Sequence, residues 1–120
     1  MLDEQMILQN IQRLQQQFLV HSFLYYVLDE SIISDADYDK VCHNMIMLMN
    51  EHSEVAAKLR FNHICRGCDE AGSGFYIDDY PPCIITSSLR CLYEHKRIHH
   101  LTSEEFHVFI KRYGYSIESQ

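Results

Sequence analysis

Apolar residues recur at steps of four and three through the first quarter of the chain. Ile7, Ile11, Leu14, Phe18, His21, Tyr25 and Leu28 make one continuous stripe, which predicts a helix over residues 2–28. Gln9, Gln12, Gln15 and Gln16 are good helix formers and fall mainly off that stripe. The helix should stop near Asp29, because Ile32 and Ile33 are β-branched and begin a short connection. Ser34 then stands where an N-cap belongs, with Asp37 three residues on in the reaching-back position of a capping box. Asp35 and Asp37 also complement the helix dipole in that first turn. The second helix is expected to run to about His52, with Tyr38, Cys42, Met45, Leu48 or Met49, and His52 on its apolar side. Two helices joined by a short loop form an antiparallel αα-hairpin.

From about Leu59 the pattern changes. Gly67, Gly72 and Gly74 cluster, and Pro81-Pro82 interrupts any regular element. Phe75-Tyr76-Ile77 and Ile84-Ile85-Thr86 read as short β runs and predict a small hairpin. Ser87 or Ser88 would cap a short helix through about His99. Thr102 and Glu105 form a second capping-box pattern, followed by a stripe of Phe106, Phe109, Ile110 and Tyr113 that Gly114 terminates. The expected fold is mainly α, with the helical hairpin in residues 1–58. A small Cys- and His-containing α+β region with two short helices fills residues 59–120.

Composition narrows the partners. The net charge is −7, and no run of Lys or Arg exceeds Lys96-Arg97, so these residues lack the basic face that grips nucleic acid directly. No apolar run approaches the roughly 20 residues that span a bilayer, so no membrane partner is expected. The glutamine-rich, acidic N-terminus does not read as a secretory signal. An odd count of five cysteines suits a reducing cytoplasm with free or metal-bound thiols.

The chemistry concentrates between His21 and Asp39, where three tyrosines and four aspartates surround one helix–loop–helix corner. Aromatic faces and carboxylates together suit a flat, cationic, hydroxyl-rich ligand, since rings attract cations and carboxylates accept hydroxyl hydrogen bonds. The residues alone also admit a plainer reading, with Tyr25 and Tyr38 as core aromatics at a helix crossing and Asp35 and Asp39 as cap and surface charges. The order His21, Tyr25-Tyr26, Asp29, then Ile33-Ser34-Asp35-Ala36-Asp37-Tyr38-Asp39, resembles the N-terminal Ia domain of bacterial NAD-dependent DNA ligases. That family carries His-x-x-x-Tyr-(Tyr or His)-x-x-Asp on a long helix, then Ile-(Ser or Pro)-Asp-Ala-(Glu or Asp)-Tyr-Asp opening the next. His52-x-Glu54 echoes a His-Pro-Glu that follows, and the resemblance covers roughly residues 7 to 55. Ser31 and Ser53 stand where the family has prolines, and Asn44 and Met47 where it commonly has acids.

The resemblance implies a pocket for the nicotinamide mononucleotide (NMN) half of NAD. Tyr25 and Tyr26 would contact the nicotinamide ring. Asp35, Tyr38 and Asp39 would hold the ribose and ring-side groups, with His21 beside them. Lys-x-Asp-Gly, the adenylation motif, is absent, so no catalytic residue is expected and the chain should not seal DNA alone. Three functions follow from the resemblance: a module that binds NAD or NMN, an accessory lending its pocket to a ligase adenylation domain, or an inhibitory interaction protein. A free-standing piece of a replication or repair enzyme would suit a virus such as a phage.

Cys65-x-x-Cys68 has metal-ligand spacing, and Cys83 and Cys91 would complete a four-thiolate zinc site, with His63 or His95 as substitutes. Free or buried thiols are the competing reading. His99-His100 beside Lys96-Arg97 reads as a solvated helix end.

Overall fold

The computed structural model describes residues 3–117. Helix α1 spans Glu4–Ser22 and is opened by Asp3, whose carboxylate accepts a 2.9 Å hydrogen bond from the Met6 N–H. Leu2, the expected first helical residue, lies outside the described residues. The helical backbone then widens into a π-helical turn, Phe23–Val27, where the Leu28 N–H donates to the Phe23 carbonyl. Asp29 ends it with φ at 56°, a left-handed conformation that Asp tolerates better than most residues.

Helix α2, Asp35–Glu51, is capped by Ser34, whose Oγ accepts from the Asp37 N–H at 3.1 Å; the reciprocal bond from the Ser34 N–H to the Asp37 carboxylate, which would complete a capping box, is not formed. Ser22, at the end of α1, hydrogen-bonds Tyr38 near the start of α2, while Glu4 at the start of α1 pairs with Lys58 beyond the end of α2. The chain therefore doubles back along itself. Three single turns follow, α3 (Ser53–Ala56), α4 (Asn62–Cys65) and α5 (Cys68–Ala71). Then come a long helix α6 (Pro82–Ile98) and a short α7 (Phe106–Lys111).

Helix α1 is the centre of the molecule, packed by α2, α3, α4 and α6. The first core cluster joins Ile11, Phe18 and Phe23 to Cys42, Met45 and Met49 of α2, and also to Cys65, Cys68, Tyr80 and Ile84. A second cluster gathers Leu24, Leu89, Leu92, Tyr93, Phe109 and Ile110. Each fully buried large side chain, such as Phe18 or Leu92, contributes roughly 1.5–3 kcal/mol through removal of apolar surface from water. Because neighbours surround α1, its buried face exceeds one stripe: Gln15 is buried and reaches Asn62, whereas Gln9, Gln12 and Gln16 are exposed.

The mainly helical expectation holds, but the second half is not α+β. The described residues contain no strand. Ile84, Ile85 and Thr86, read as a β run, belong to α6, and Phe75-Tyr76-Ile77 is a turn rather than its partner. The Pro-Pro pair explains the difference. Pro82 opens α6 at the position where a missing N–H costs nothing, and Ile84, Ser88, Leu89 and Leu92 then bury at helical spacing. Ser88 is no cap, since its hydroxyl donates to the Ile84 carbonyl inside the helix. The Thr102–Glu105 capping box does not form either: Thr102 Oγ1 accepts from Glu104, and Glu105 caps α7 without a side-chain bond. Beyond α7, Gly114 adopts a φ of 88°, and the Tyr115 N–H reaches back to the Ile110 carbonyl, as a terminating glycine should allow.

Candidate functional site

The π-helical turn and the first turns of α2 face one another across the Ser31-Ile32-Ile33 loop. Asp35, Tyr38 and Asp39 are spaced three and four apart, so they share one face of α2. His21, near the end of α1, precedes Tyr25 of the π-helical turn by four residues. All six predicted binding residues, His21, Tyr25, Tyr26, Asp35, Tyr38 and Asp39, line a single cleft of about 230 Å³. Tyr25 is 46% exposed at its mouth and is not sealed in the helix interface. Its ring meets Tyr26 edge-on with centroids 4.8 Å apart.

Electrostatically the cleft is acidic. Asp35 and Asp39 are solvent-exposed and engage no ion pair among the described residues, and the lining includes no Lys or Arg. Burial holds the His21 imidazole below its usual pKa, which favours its neutral form. Burial also raises the Tyr38 phenol, so it remains protonated.

The Tyr38 hydroxyl is committed to the protein. It accepts from the Gly74 N–H at 2.9 Å and lies 2.7 Å from Ser22 Oγ. Its ring lines the cleft while its oxygen pins the loop after α5. Gly74 fits because it has no side chain: a Cβ there would stand 2.2 Å from Ser22 Oγ and 3.2 Å from the Tyr38 hydroxyl. The pinned loop adds one cleft residue that sequence reasoning did not assign to the site, and sets another against a cleft tyrosine. Ser73 lines the cleft, and Phe75 stacks edge-on against Tyr26 at 5.5 Å. The Gly-Ser-Gly spacing around Ser73 was the one available signal, a backbone built for close approach.

The proposed zinc set does not assemble. No group of three or more Cys, His, Asp or Glu side chains among the described residues has metal-binding geometry. Cys65 and Cys68 are buried, whereas Cys83 and Cys91 are exposed on α6. Cys68 instead meets Cys42 of α2. Interaction between the two thiols lowers the pKa of Cys42 and raises that of Cys68, and burial pushes Cys65 up to about 12. His99 and His100 are exposed at the end of α6, and His100 takes a left-handed φ of 56°.

The cleft thus brings together tyrosine rings, two carboxylates outside any ion pair among the described residues, and an imidazole that burial biases toward its neutral form. Residues 4–59 match the family model of the DNA ligase-like, N-terminal NAD+-binding domain. A DNA ligase of Roseiflexus sp. (strain RS-1) is 40% identical over 45 residues, which is 38% of this chain and 6% of that protein. The N-terminal segment thus resembles the Ia domain of NAD-dependent DNA ligases, and the chain covers a small fraction of that relative's length. No solved structure gives a significant match. No described helix is long and apolar enough to cross a membrane.

Proposed function

We propose that this protein binds a nicotinamide nucleotide, NMN or the NMN half of NAD, in the cleft between the π-helical turn and α2. The convergence of His21, Tyr25, Tyr26, Asp35, Tyr38 and Asp39 on one acidic, open cleft carries this reading. Oxidised nicotinamide is a flat cation, and the tyrosine rings offer it aromatic faces. Asp35 and Asp39 attract the pyridinium charge and accept ribose hydroxyls, roles that need carboxylates not already paired. A neutral His21 adds no repulsion. The ligand's chemistry, when bound, is that of a leaving group or an electron acceptor; this chain's residues bind and orient it. Five unpaired thiols suit a reducing cytoplasm.

Calorimetric titration with NMN and NAD tests the proposal. Saturable binding is expected, with Asp39→Ala weakening it roughly tenfold through loss of charge-assisted contacts. Absence of any response at millimolar ligand would overturn it. One observation favours a second reading: Tyr25, which lines the cleft, is 46% exposed. Such a rim suits a docked protein, which would make the chain an accessory or inhibitory partner of an adenylation domain. Unchanged lysine adenylation in such a domain on addition of this protein would remove that reading.

A further inference from the structure

We infer that Cys42 and Cys68 form a peroxide-sensitive thiol pair, with Cys42 the attacking sulfur and Cys68 the resolving one. This stands apart from the nucleotide cleft and does not depend on it. One row of helix α2 carries the placement. Tyr38, Cys42, Ile46 and Asn50 stand four residues apart, so they follow one another along a single face. That face meets residues 68–74. The Tyr38 hydroxyl accepts from the Gly74 N–H at 2.9 Å, and Asn50 Nδ2 donates to the Asp69 carboxylate at 3.4 Å. Between those two ties the Cys42 thiol meets that of Cys68. Both line an opening of about 300 Å³ with Ile46 and Asp69. The two residues are only 5% and 2% exposed, and that opening gives a molecule as small as hydrogen peroxide a route to their sulfurs.

The five thiols are not equivalent. Cys65 is wholly buried, and burial pushes its pKa up to about 12, so it stays a thiol. Cys83 and Cys91 are exposed on α6. At Cys42 the Cys68 thiol lowers the pKa, against burial and the Asp39 carboxylate. At Cys68 the same neighbour raises it. The thiolate is the form that attacks, so the first step falls to Cys42. A hydroperoxide supplies the oxidising equivalents. The Cys42 thiolate attacks one peroxide oxygen, the O–O bond breaks, and the departing hydroxide takes up a proton and leaves as water. Cys42 is then a sulfenic acid. The Cys68 sulfur attacks it, the S–O bond breaks, and the released hydroxide carries off the Cys68 proton as a second water. Two thiols are thereby oxidised to a disulfide, and one hydrogen peroxide is reduced to two waters. The new bond joins α2 to α5, elements that already pack together. Disulfides of this kind in reducing compartments are usually transient and redox-sensing.

The test treats the reduced full chain with one equivalent of hydrogen peroxide, alkylates the remaining thiols and maps the products by non-reducing mass spectrometry. The expected product has lost two hydrogens, keeps three of its five thiols free and carries its link between the Cys42 and Cys68 peptides. Cys68→Ser removes the resolving sulfur, so a 1,3-diketone probe should capture the sulfenic acid at Cys42. That capture should exceed labelling of Cys68 in Cys42→Ser by roughly tenfold. Both substitutions exchange sulfur for oxygen at nearly constant volume, and the link in the unaltered protein is read without them. A link between other cysteines in its place, or oxidation of Cys83 and Cys91 with no link at all, would overturn the pair. Capture at Cys68 equal to or above that at Cys42 would overturn the assignment of roles.

Discussion

His21 shows how one side chain couples the cleft to pH. Burial lowers its folded pKa below the ordinary value, while in the unfolded chain it titrates near 6.5. Below that value the unfolded state takes up the proton more readily. Stability is therefore complete above about pH 6.5 and is lost as pH falls through the depressed folded pKa. The melting temperature should drop between pH 7.5 and pH 5, and the drop should be shallower in His21→Gln. Identical pH profiles for the two proteins would remove His21 from this role. Acidification should also weaken binding of a pyridinium, since a charged imidazole would then share its cleft. The cleft residues were singled out in the sequence by the resemblance to the ligase Ia domain, whereas helical spacing alone also admitted core aromatics and surface charges; the structure gathers His21, Tyr25, Asp35, Tyr38 and Asp39 around one cleft. What spacing could not reveal was the state of the Tyr38 hydroxyl, whose partner Gly74 is far away in the chain.

At the scale of elements, the legible parts were those governed by local rules. The Ser34 cap, the end of the π-helical turn at Asp29 and the turn at Gly114 all depend on groups within a few residues of each other. The illegible parts depend on contacts remote in sequence. Ile84-Ile85-Thr86 is β-prone by composition, yet burial against α1 and the Pro82 start make it helical. The cysteine pair of Cys65-x-x-Cys68 suggested metal only because the nearness of Cys42 is not visible in linear order. The loop from Gly72 to Ile77 approaches Ser22 and Tyr38 closely at Gly74, so it offers a sharp test. Gly74→Ala would force a Cβ against Ser22, a buried residue with nowhere to move. A loss of roughly 1–3 kcal/mol is expected from such overpacking, read from the urea midpoint. A midpoint within error of the unaltered protein would mean that the loop does not sit against Ser22.

For the whole molecule, the ligase-like segment and the remainder share one interior. Ile11, Phe18 and Met45 pack in the same cluster as Cys65, Cys68, Tyr80 and Ile84. Glu30, just beyond the π-helical turn, accepts 2.9 Å hydrogen bonds from Lys96 of α6 and from the Tyr113 hydroxyl. Residues 4–59 expressed alone would leave much of that apolar surface in water. Such a fragment is expected to lose cooperative thermal unfolding and to bind a hydrophobic dye. A sharp two-state melt from the fragment would show instead that the first half stands by itself.

The clasp between Tyr38 and the Gly74 amide carries a thermodynamic consequence. A receptor that must gather its walls around a guest surrenders part of its affinity to ordering them. Here the phenol, the serine and the glycine amide have already found one another, so the floor is set before any guest arrives. Such a pocket should tighten mainly by slowing escape, and it should change little in shape between its empty and filled states.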